Sequence, residues 1–260
     1  PAAISFPLPT YSGEALLDPE QTEDFQLPWD IWVARKEGLL VQHREPPCYV
    51  KLRNNIYADG VKRVVMDQGV CECERPSDSK SRGCNDESCF NRMMFYECSP
   101  KLCACGDLCS NQRFRRHEFV RELETESRGF GLRTKVPLAP GQLITEYCGE
   151  VITQHMCLER MDTIYQGHHN FYFLKCGPGC VIDAGQQGTV ARFANHSCEP
   201  NCHIEKWYGN RMELRIGLFA TGKIEAGAEL TYDYNYQSVS GKEEPCYCGS
   251  ARCRGVIGQR

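Results

Sequence analysis

The chain has 260 residues, 41% of them hydrophobic, which is enough to bury the core of one large domain or of one domain with small satellites. Its formal net charge of -4 excludes a generally basic nucleic-acid coat, although the run from Arg113 to Arg121 forms either a solvated face or a contact with an acidic partner. No apolar stretch reaches the roughly 20 residues of a membrane helix, and the N-terminal sequence is not that of a signal peptide. We therefore expect a soluble intracellular protein with no membrane partner.

Residues 1–47 are rich in proline and acidic groups and show little periodicity, which indicates an extended lead-in segment. From Cys71 to Cys109 the cysteine density rises while the aliphatic content falls. A region of that composition cannot build its own apolar core, so we expect it to need metal to fold. The first residue is Pro1 rather than Met, and we interpret the chain as part of a longer protein.

Between Phe119 and Tyr236 the sequence predicts a compact domain of many short β-strands. The β-rich runs, separated by glycine and proline, are F-V-R-E-L, G-F-G-L-R-T-K, Q-L-I-T-E-Y, N-F-Y-F-L, C-V-I-D and R-M-E-L-R-I-G-L-F-A. One helix is predicted over Thr153–Tyr165, with Thr153 as its N-cap. Its partly apolar face consists of Met156, Met161 and Ile164.

The cysteine-rich region has spacings that suit zinc. Its thiols follow one another after one, ten, four, eight, four and five intervening residues, at Cys71, Cys73, Cys84, Cys89, Cys98, Cys103 and Cys109. Such spacings suit tetrahedral zinc, whereas a disulfide between Cys71 and Cys73 would be strained. The chain lacks an export signal, so its eighteen cysteines are expected to stay reduced. Seven thiols are one short of two separate four-ligand sites, so two ions need either a bridging thiolate or Cys105.

A second cluster near the C-terminus has only three thiols, at Cys246, Cys248 and Cys253. A closed structural zinc site needs four ligands, so a fourth must come from elsewhere in the chain, and Cys198 and Cys202 are both candidates. A catalytic zinc with one open position is the competing interpretation. No nearby His-Glu pair resembles a site that activates water, which disfavours it.

Four motifs in the predicted β-domain resemble those of the SET-domain protein lysine methyltransferases. They are R-G-F-G from Arg128, E-Y-C-G-E from Glu146, R-F-A-N-H-S-C-E-P-N-C from Arg192 and E-L-T-Y-D-Y from Glu229. The tail C-Y-C-G-S-A-R-C-R-G resembles a post-SET zinc motif, and C-F-N-R, E-C-S-P and C-S-N-Q resemble the AWS (associated-with-SET) type. This combination is typical of the branch with the Ash1, Set2 and NSD enzymes, and the sequence is most similar to the Ash1-like members.

The resemblance implies a mainly β fold with few helices: a SET-domain β-fold of short sheets with a knot-like threaded active site, flanked by zinc-cluster AWS and post-SET regions. The implied domains are an extended segment at 1–65, the AWS region at 66–117, the SET domain at 118–236 and the post-SET loop and zinc motif at 237–260.

The family pattern also implies three zinc ions. One is held by Cys71, Cys73, Cys84 and Cys89. Cys84 bridges to a second, held by Cys98, Cys103 and Cys109 as well. The third is held by Cys198, Cys246, Cys248 and Cys253. In this arrangement Cys105 is a surplus thiol and Cys202 is a packing residue.

By the same resemblance, S-adenosylmethionine is the methyl donor, and Tyr147, Tyr234 and Tyr232 line the site of transfer. A tyrosine ring can pack along a lysine stem while its hydroxyl orients the amine. Tyr232 favours mono- and dimethylation, because its hydroxyl crowds the pocket. The implied cofactor-binding residues are Arg128, Gly129, Phe130, Asn170, Phe171, Tyr172, Asn195, His196 and Tyr247.

The implied substrate is histone H3 on nucleosomes, at its lysine 36, in the chromatin of the nucleus, with a further contact to nucleosomal DNA. Residues Gln237 to Glu244 match a loop that can cover the substrate channel, so we expect low basal activity that a partner raises. The motifs at Phe6–Pro9 and Phe25–Pro28 resemble docking motifs for MRG-domain chromatin proteins, with a plain proline-rich linker as the alternative. The competing function is a zinc-stabilised chromatin-binding module with little catalytic activity.

Overall fold

In the computed structural model the chain divides into two units, residues 1–45 and 46–260. The described residues are 33, 36–37, 46–61, 69–85, 88–114, 120–125, 129–167, 171–209, 213–235 and 244–258, with the backbone alone for 120–125. In the first unit, the Glu37 amide donates a hydrogen bond to the Val33 carbonyl, which is one turn of helix.

The described residues of the second unit form many short strands and two α-helices, so the prediction of a mainly β fold is confirmed. The strands are Val50–Lys51 (β1), Ile56–Tyr57 (β2), Val120–Thr125 (β3), Gly129–Thr134 (β4), Leu143–Glu146 (β5), Glu150–Thr153 (β6), Phe173–Gly177 (β7), Cys180–Asp183 (β8), Gln187–Gly188 (β9), Asn195–His196 (β10), Cys202–Tyr208 (β11), Leu214–Ala220 (β12), Glu229–Tyr232 (β13), Glu244–Pro245 (β14) and Val256–Ile257 (β15). The α-helices are Phe90–Met93 (α1) and Gln154–Asp162 (α2), and 3-10 turns cover Gly106–Leu108 and Val190–Phe193. Neither described helix is long and apolar enough to cross a membrane.

Three sheets carry the fold. Their strand orders are β10-β13-β4-β3, β2-β6-β8-β7 and β11-β12-β5, and the two-stranded pairs β1-β9 and β14-β15 complete the set. The strand β12 lies between two neighbours and is buried over its last five residues, which explains its continuous apolar run. Side chains such as Leu132, Ile144, Phe193 and Leu218 form the largest core cluster, which packs against Phe130, Tyr172 and Tyr234.

Helix α2 confirms part of the predicted helix. Its N-cap is Thr153, whose hydroxyl oxygen accepts a hydrogen bond from the Met156 amide at 3.1 Å. The helix ends at Asp162 and not at Tyr165, because the chain turns so that the Tyr165 hydroxyl can donate to buried Asp183 at 2.9 Å. The placement of Ile164 on the apolar face was wrong, since that side chain is 48% exposed.

Several strand boundaries differ from the predicted runs. The run from Asn170 becomes a strand only at Phe173, because the chain enters the sheet opposite Asp183 of β8 and then continues to Gly177. Strand β11 was not predicted, since the sequence of Cys202–Tyr208 mixes polar and apolar residues without strict alternation. Its pairing with β12 over seven residues is a tertiary feature.

Candidate active site and metal centres

Two distant motifs meet side by side in the parallel pairing of β10 with β13. Asn195 lies opposite Thr231, and His196 lies opposite Tyr232. The Tyr234 amide donates a hydrogen bond to His196 Nδ1 at 3.2 Å. The R-F-A-N-H and E-L-T-Y-D-Y segments therefore form one wall of a single site.

Three tyrosines gather at this wall. The rings of Tyr232 and Tyr234 have centroids 4.8 Å apart. The Tyr234 hydroxyl donates to the Ala194 carbonyl at 2.9 Å, and the Tyr147 hydroxyl donates to the Tyr172 carbonyl at 3.0 Å. Tyr147 and Tyr232 are buried, and Tyr234 is partly buried. Each bonded hydroxyl uses its proton on a main-chain oxygen, so its lone pairs remain able to accept a hydrogen bond.

Burial keeps two of these phenols neutral. Removal from water is the main cause that raises the pKa of Tyr147 and Tyr232 well above the ordinary value, and the nearby Tyr234 raises both further. A phenol with a raised pKa stays protonated at neutral pH and therefore cannot accept a proton as a phenolate base. The site is therefore built to orient and to exclude water, and neither of these two tyrosines is suited to remove a proton.

The predicted cofactor-binding residues divide into three sets. The Asn195 side-chain amide donates to the Phe130 carbonyl at 3.3 Å and to Glu229 Oε1 at 2.9 Å, so Asn195 and Phe130 lie together. Gly129 beside them has a φ of 71°, a left-handed conformation that favours glycine. Tyr172 is next to Tyr147, whose hydroxyl donates to the Tyr172 carbonyl.

The second set is exposed, and the third is not described. Phe171 is 45% exposed and stacks on Phe173 with centroids 6.3 Å apart, and Tyr247 is 66% exposed. Both lie at the surface of the protein. Arg128 and Asn170 lie outside the described residues.

A buried arginine behind the pocket was missed by the motif analysis. The guanidinium carbon of Arg192 lies 3.8 Å from the ring centroid of Tyr172 and 4.7 Å from that of Tyr49. The whole residue is only 5% exposed. A cation inside an otherwise apolar motif, R-F-A, was the sequence signal for this aromatic-lined position.

The cysteine-rich region forms two overlapping groups of four thiols, each within 4.8 Å of one another. The groups are Cys71, Cys84, Cys89 and Cys98, and Cys84, Cys98, Cys103 and Cys109. Sulfur-sulfur distances of 3.8 Å for Cys71–Cys84 and 3.5 Å for Cys84–Cys103 are close to the value of about 3.8 Å expected around tetrahedral zinc with bonds of about 2.3 Å. These thiols therefore fit two zinc ions that share ligands.

One predicted ligand lies outside both groups. The Cys73 thiol donates to the Ser88 carbonyl at 3.6 Å and also interacts with the Cys84 and Cys89 thiols, but Cys98 and not Cys73 completes the first group of four. Cys84 belongs to both groups, as a bridging ligand must. Cys105 is fully buried and donates to the Glu74 carbonyl at 3.2 Å, in accord with a surplus thiol.

The tail cysteines meet Cys198. The thiols of Cys198, Cys246, Cys248 and Cys253 lie within 4.8 Å of one another, and the Cys198–Cys246 distance of 3.8 Å again fits zinc. Burial opposes ionisation of Cys248, but hydrogen bonds from the Cys198 amide and from Ser250 lower its pKa to about 5, which favours the thiolate. Cys202 lies in the main core and is fully buried.

The tyrosine site and most of the cysteine-rich region fall within two family models, whereas Cys71 and the tail cysteines lie outside both. The SET domain model matches residues 129–235, and the AWS domain model matches residues 78–117. The chain belongs to the family of proteins that combine a SET domain with an AWS domain. The three tyrosines and the Asn195-His196 pair lie inside the SET match, and six of the cysteine-rich thiols, from Cys84 to Cys109, lie inside the AWS match.

Two relatives and one solved structure describe the similarity. Histone-lysine N-methyltransferase ash1 of Drosophila melanogaster is 41% identical over 266 residues, which are 99% of this chain and 12% of the relative. A histone-lysine N-methyltransferase, H3 lysine-36 specific, of Aspergillus fumigatus is 42% identical over 195 residues, 72% of this chain and 20% of the relative. The crystal structure of KRYPTONITE in complex with mCHH DNA, H3(1-15) peptide and SAH has a TM-score of 0.61 at 25% identity, over 80% of this chain and 47% of that one. The chain thus spans 12% to 20% of the length of these two relatives.

Proposed function

We propose that this chain transfers a methyl group from S-adenosylmethionine to a lysine of histone H3. The observation that carries the proposal is the convergence of Tyr147, Tyr232 and Tyr234 beside the paired strands β10 and β13. Three largely buried aromatic rings with hydroxyls at one site can line a channel for an alkyl stem ending in an amine. The relatives named above support the same reaction.

The residues present fit the proposed cofactor. S-adenosylmethionine, when bound, supplies an electrophilic methyl carbon on a sulfonium. The partly buried Phe130 ring offers an aromatic face to a cation, and the open, left-handed backbone at Gly129 allows close approach. Asn195 holds this segment to β13 through its bonds to Phe130 and Glu229.

The chain's own groups then act on the lysine. The Tyr147 and Tyr234 hydroxyl oxygens accept hydrogen bonds from the amine and orient its lone pair, because their protons are already donated to Tyr172 and Ala194. Free lysine has a pKa of about 10.4, so the amine must lose a proton before it attacks. Burial raises the pKa of the Tyr147 phenol, so Tyr147 is not the group that takes this proton.

We propose lysine 36 of H3 on nucleosomes as the target, with mono- and dimethylation as the products. The lysine-36-specific relative supports the position, and the buried Tyr232 hydroxyl supports the limit on methyl number by crowding the pocket. A contact with nucleosomal DNA accompanies this substrate. On this proposal the protein acts in the nucleus, on chromatin.

Regulation is part of the proposal. The loop Gln237 to Glu244 covers the substrate channel and lowers basal activity, and a partner releases it; its residues 237–243 lie outside the described ones. Full-speed turnover of the isolated chain would contradict this. We propose separately that an MRG-domain chromatin protein docks at Phe6–Pro9 or Phe25–Pro28, which also lie outside the described residues. A pull-down in which neither Phe6→Ala nor Phe25→Ala reduces capture would contradict that docking.

The experiment for the activity is mass spectrometry of nucleosomes after incubation with isotope-labelled S-adenosylmethionine. Wild type should label H3 lysine 36 with one and two methyl groups, and Tyr234→Phe should label it much more slowly because the amine loses one orienting oxygen. The control is a nucleosome with lysine 36 replaced by arginine. No transfer by wild type, with or without an MRG-domain partner, would leave the chromatin-binding module as the function.

A further inference from the structure

A carboxylate lies in sequence between two tyrosines of the site, one at the end of β13 and one in the turn that follows. Asp233 separates Tyr232 from Tyr234, and both of its oxygens accept hydrogen bonds from the guanidinium of Arg254 in the tail. The distances are 2.7 Å from Nη1 to Oδ2 and 2.8 Å from Nη2 to Oδ1. A two-pronged pair of this kind fixes the direction of the carboxylate as well as its position.

The same carboxylate shapes the backbone on both sides of Tyr234. Asp233 Oδ1 accepts a hydrogen bond from the Asn235 amide at 3.1 Å, and Asn235 has a φ of 46°. This closes a tight turn just after the tyrosine, in a conformation that asparagine tolerates better than most residues. Asp233 Oδ1 also lies 3.6 Å from His196 Nδ1, the atom that accepts the Tyr234 amide. The orientation of Asp233 therefore sets the path of the chain through Tyr234.

Arg254 connects this turn to the tail cysteine group. It follows Cys253 directly, and its amide donates to the Cys198 thiol at 3.3 Å. The guanidinium is thus presented to Asp233 only where the tail is folded against Cys198. The two side chains are about one-third exposed, so their attraction is screened and contributes modestly to overall stability.

A second ion pair in the tail provides a natural comparison. Arg252 Nε donates to Glu199 Oε1 at 2.7 Å, and the Arg252 amide donates to Glu199 Oε2 at 3.1 Å. This pair also ties the tail to the segment after Cys198. Its carboxylate, however, belongs to Glu199, which directly follows Cys198 and lies outside β13. This pair therefore does not involve the segment between the tyrosines.

We propose that Arg254 is a positioning residue for methyl transfer, which through its two-pronged pair with Asp233 holds Tyr234 and Tyr232 in the geometry that orients the lysine amine. The inference rests on the proposed function of the site. The Arg254–Asp233 pair couples docking of the tail to alignment of the tyrosines. Zinc binding without this pair would hold the tail in place but would not align the tyrosines.

The test compares Arg254→Met with Arg252→Met in the full chain. For Arg254→Met we expect kcat on nucleosomes to fall at least about tenfold, which equals about 1.4 kcal/mol in the barrier, with the zinc content unchanged. The Kd of S-adenosylhomocysteine and the nucleosome KM should change by less than about threefold, because lost alignment acts on the transition state. Arg252→Met should keep kcat within about twofold of wild type. Arg254→Lys should give an intermediate kcat, because lysine keeps the charge but not the fork.

Asp233→Asn provides the second arm, since it leaves the tail untouched. It should lower kcat as Arg254→Met does, and the double variant should be no slower than either single one, because both remove the same interaction. The ratio of mono- to dimethylated product should shift in Arg254→Met, in Asp233→Asn and in the double variant. A loss of tail stability alone would not change this ratio. Equal losses of kcat in Arg252→Met and Arg254→Met, or full activity of Asp233→Asn, would overturn the proposal. An inactive wild type would instead overturn the proposed function.

Discussion

Replacing Arg215 by methionine should destabilise the protein more than any surface charge change, because it strands two carboxylates. Arg215 Nε donates to Glu146 Oε1 at 3.0 Å and its Nη2 donates to Glu146 Oε2, while Nη1 lies 3.6 Å from Glu97 Oε2. All three side chains are at most 14% exposed. The arginine thus joins the cysteine-rich region to strand β5, directly before Tyr147.

The magnitude follows from what remains after the substitution. Removing one partner of a buried ion pair costs about 3–5 kcal/mol, because the other charge stays buried and unpaired. Glu97 keeps its hydrogen bond from the Phe114 amide at 2.9 Å, whereas Glu146 loses both of its bonds to Arg215. We therefore expect the lower end of that range, about 3 kcal/mol at neutral pH.

The cost should depend on pH with a defined sign. Burial raises the pKa of Glu146, with Arg215 opposing it, so the pKa rises further when Arg215 is removed. A carboxyl whose folded-state pKa lies above the unfolded value of about 4.3 stabilises the folded state below that value and loses this stabilisation as pH rises through the folded pKa. The penalty of Arg215→Met should accordingly be smaller at pH 5.5 than at pH 8.

The assay is urea unfolding followed by circular dichroism, in zinc-buffered solution at both pH values. Adding Glu146→Gln to Arg215→Met should restore part of the free energy of unfolding, since it removes the stranded charge. Lys223→Met, which breaks an exposed pair with Glu225, is the matched control and should leave the unfolding midpoint unchanged. A cost below about 1 kcal/mol, or one that grows as the pH falls, would refute the reasoning.

Two further predictions concern the thiols and the phenols. Cys198→Ser should lose one zinc ion per chain by elemental analysis and weaken S-adenosylhomocysteine binding before the β-domain unfolds, whereas Cys202→Ala should keep all its zinc, and equal zinc loss in both would contradict the assignment. The methylation rate of wild type should rise with pH through the alkaline range, because the fraction of substrate lysine with a neutral amine rises with pH. Tyr147 should not contribute to this profile, since burial raises the pKa of its phenol. Tyr147→Phe should be slower with an unchanged pH profile, and loss of an inflection would show that the phenol acts as a base.

Local signals in the sequence predicted a large part of the fold and of the candidate site. The hydroxyl of Thr153 in front of a helical pattern predicted the start of α2, and cysteine spacing predicted metal-binding groups. The end of α2 was not predictable, because Tyr165 leaves the helix to reach Asp183 on another strand. Such a competing partner has no signature near the helix in the sequence.

The cysteine groups show the same limit. Spacing alone places Cys71 and Cys73 together, yet in the folded chain Cys98 completes the first group of four, while Cys73 lies beside it and interacts with Ser88, Cys84 and Cys89. Whether a thiol enters a tetrahedron depends on the direction of its Cα–Cβ bond. That direction is set by the packing of the whole region.

By itself, the sequence determined the chemistry available to this protein: which residues can bind zinc, which aromatic side chains carry hydroxyls, and that short β-strands would hold them. Those properties are local, because they follow from residue type and from spacings of a few positions. Only the tertiary structure decided that β10 pairs in parallel with β13 and that Arg254 reaches Asp233 between the tyrosines. Contacts between segments far apart in sequence require closing long loops, and their free energy depends on every surface that packs at once. The active-site geometry therefore belongs to the fold, and its chemistry to the sequence.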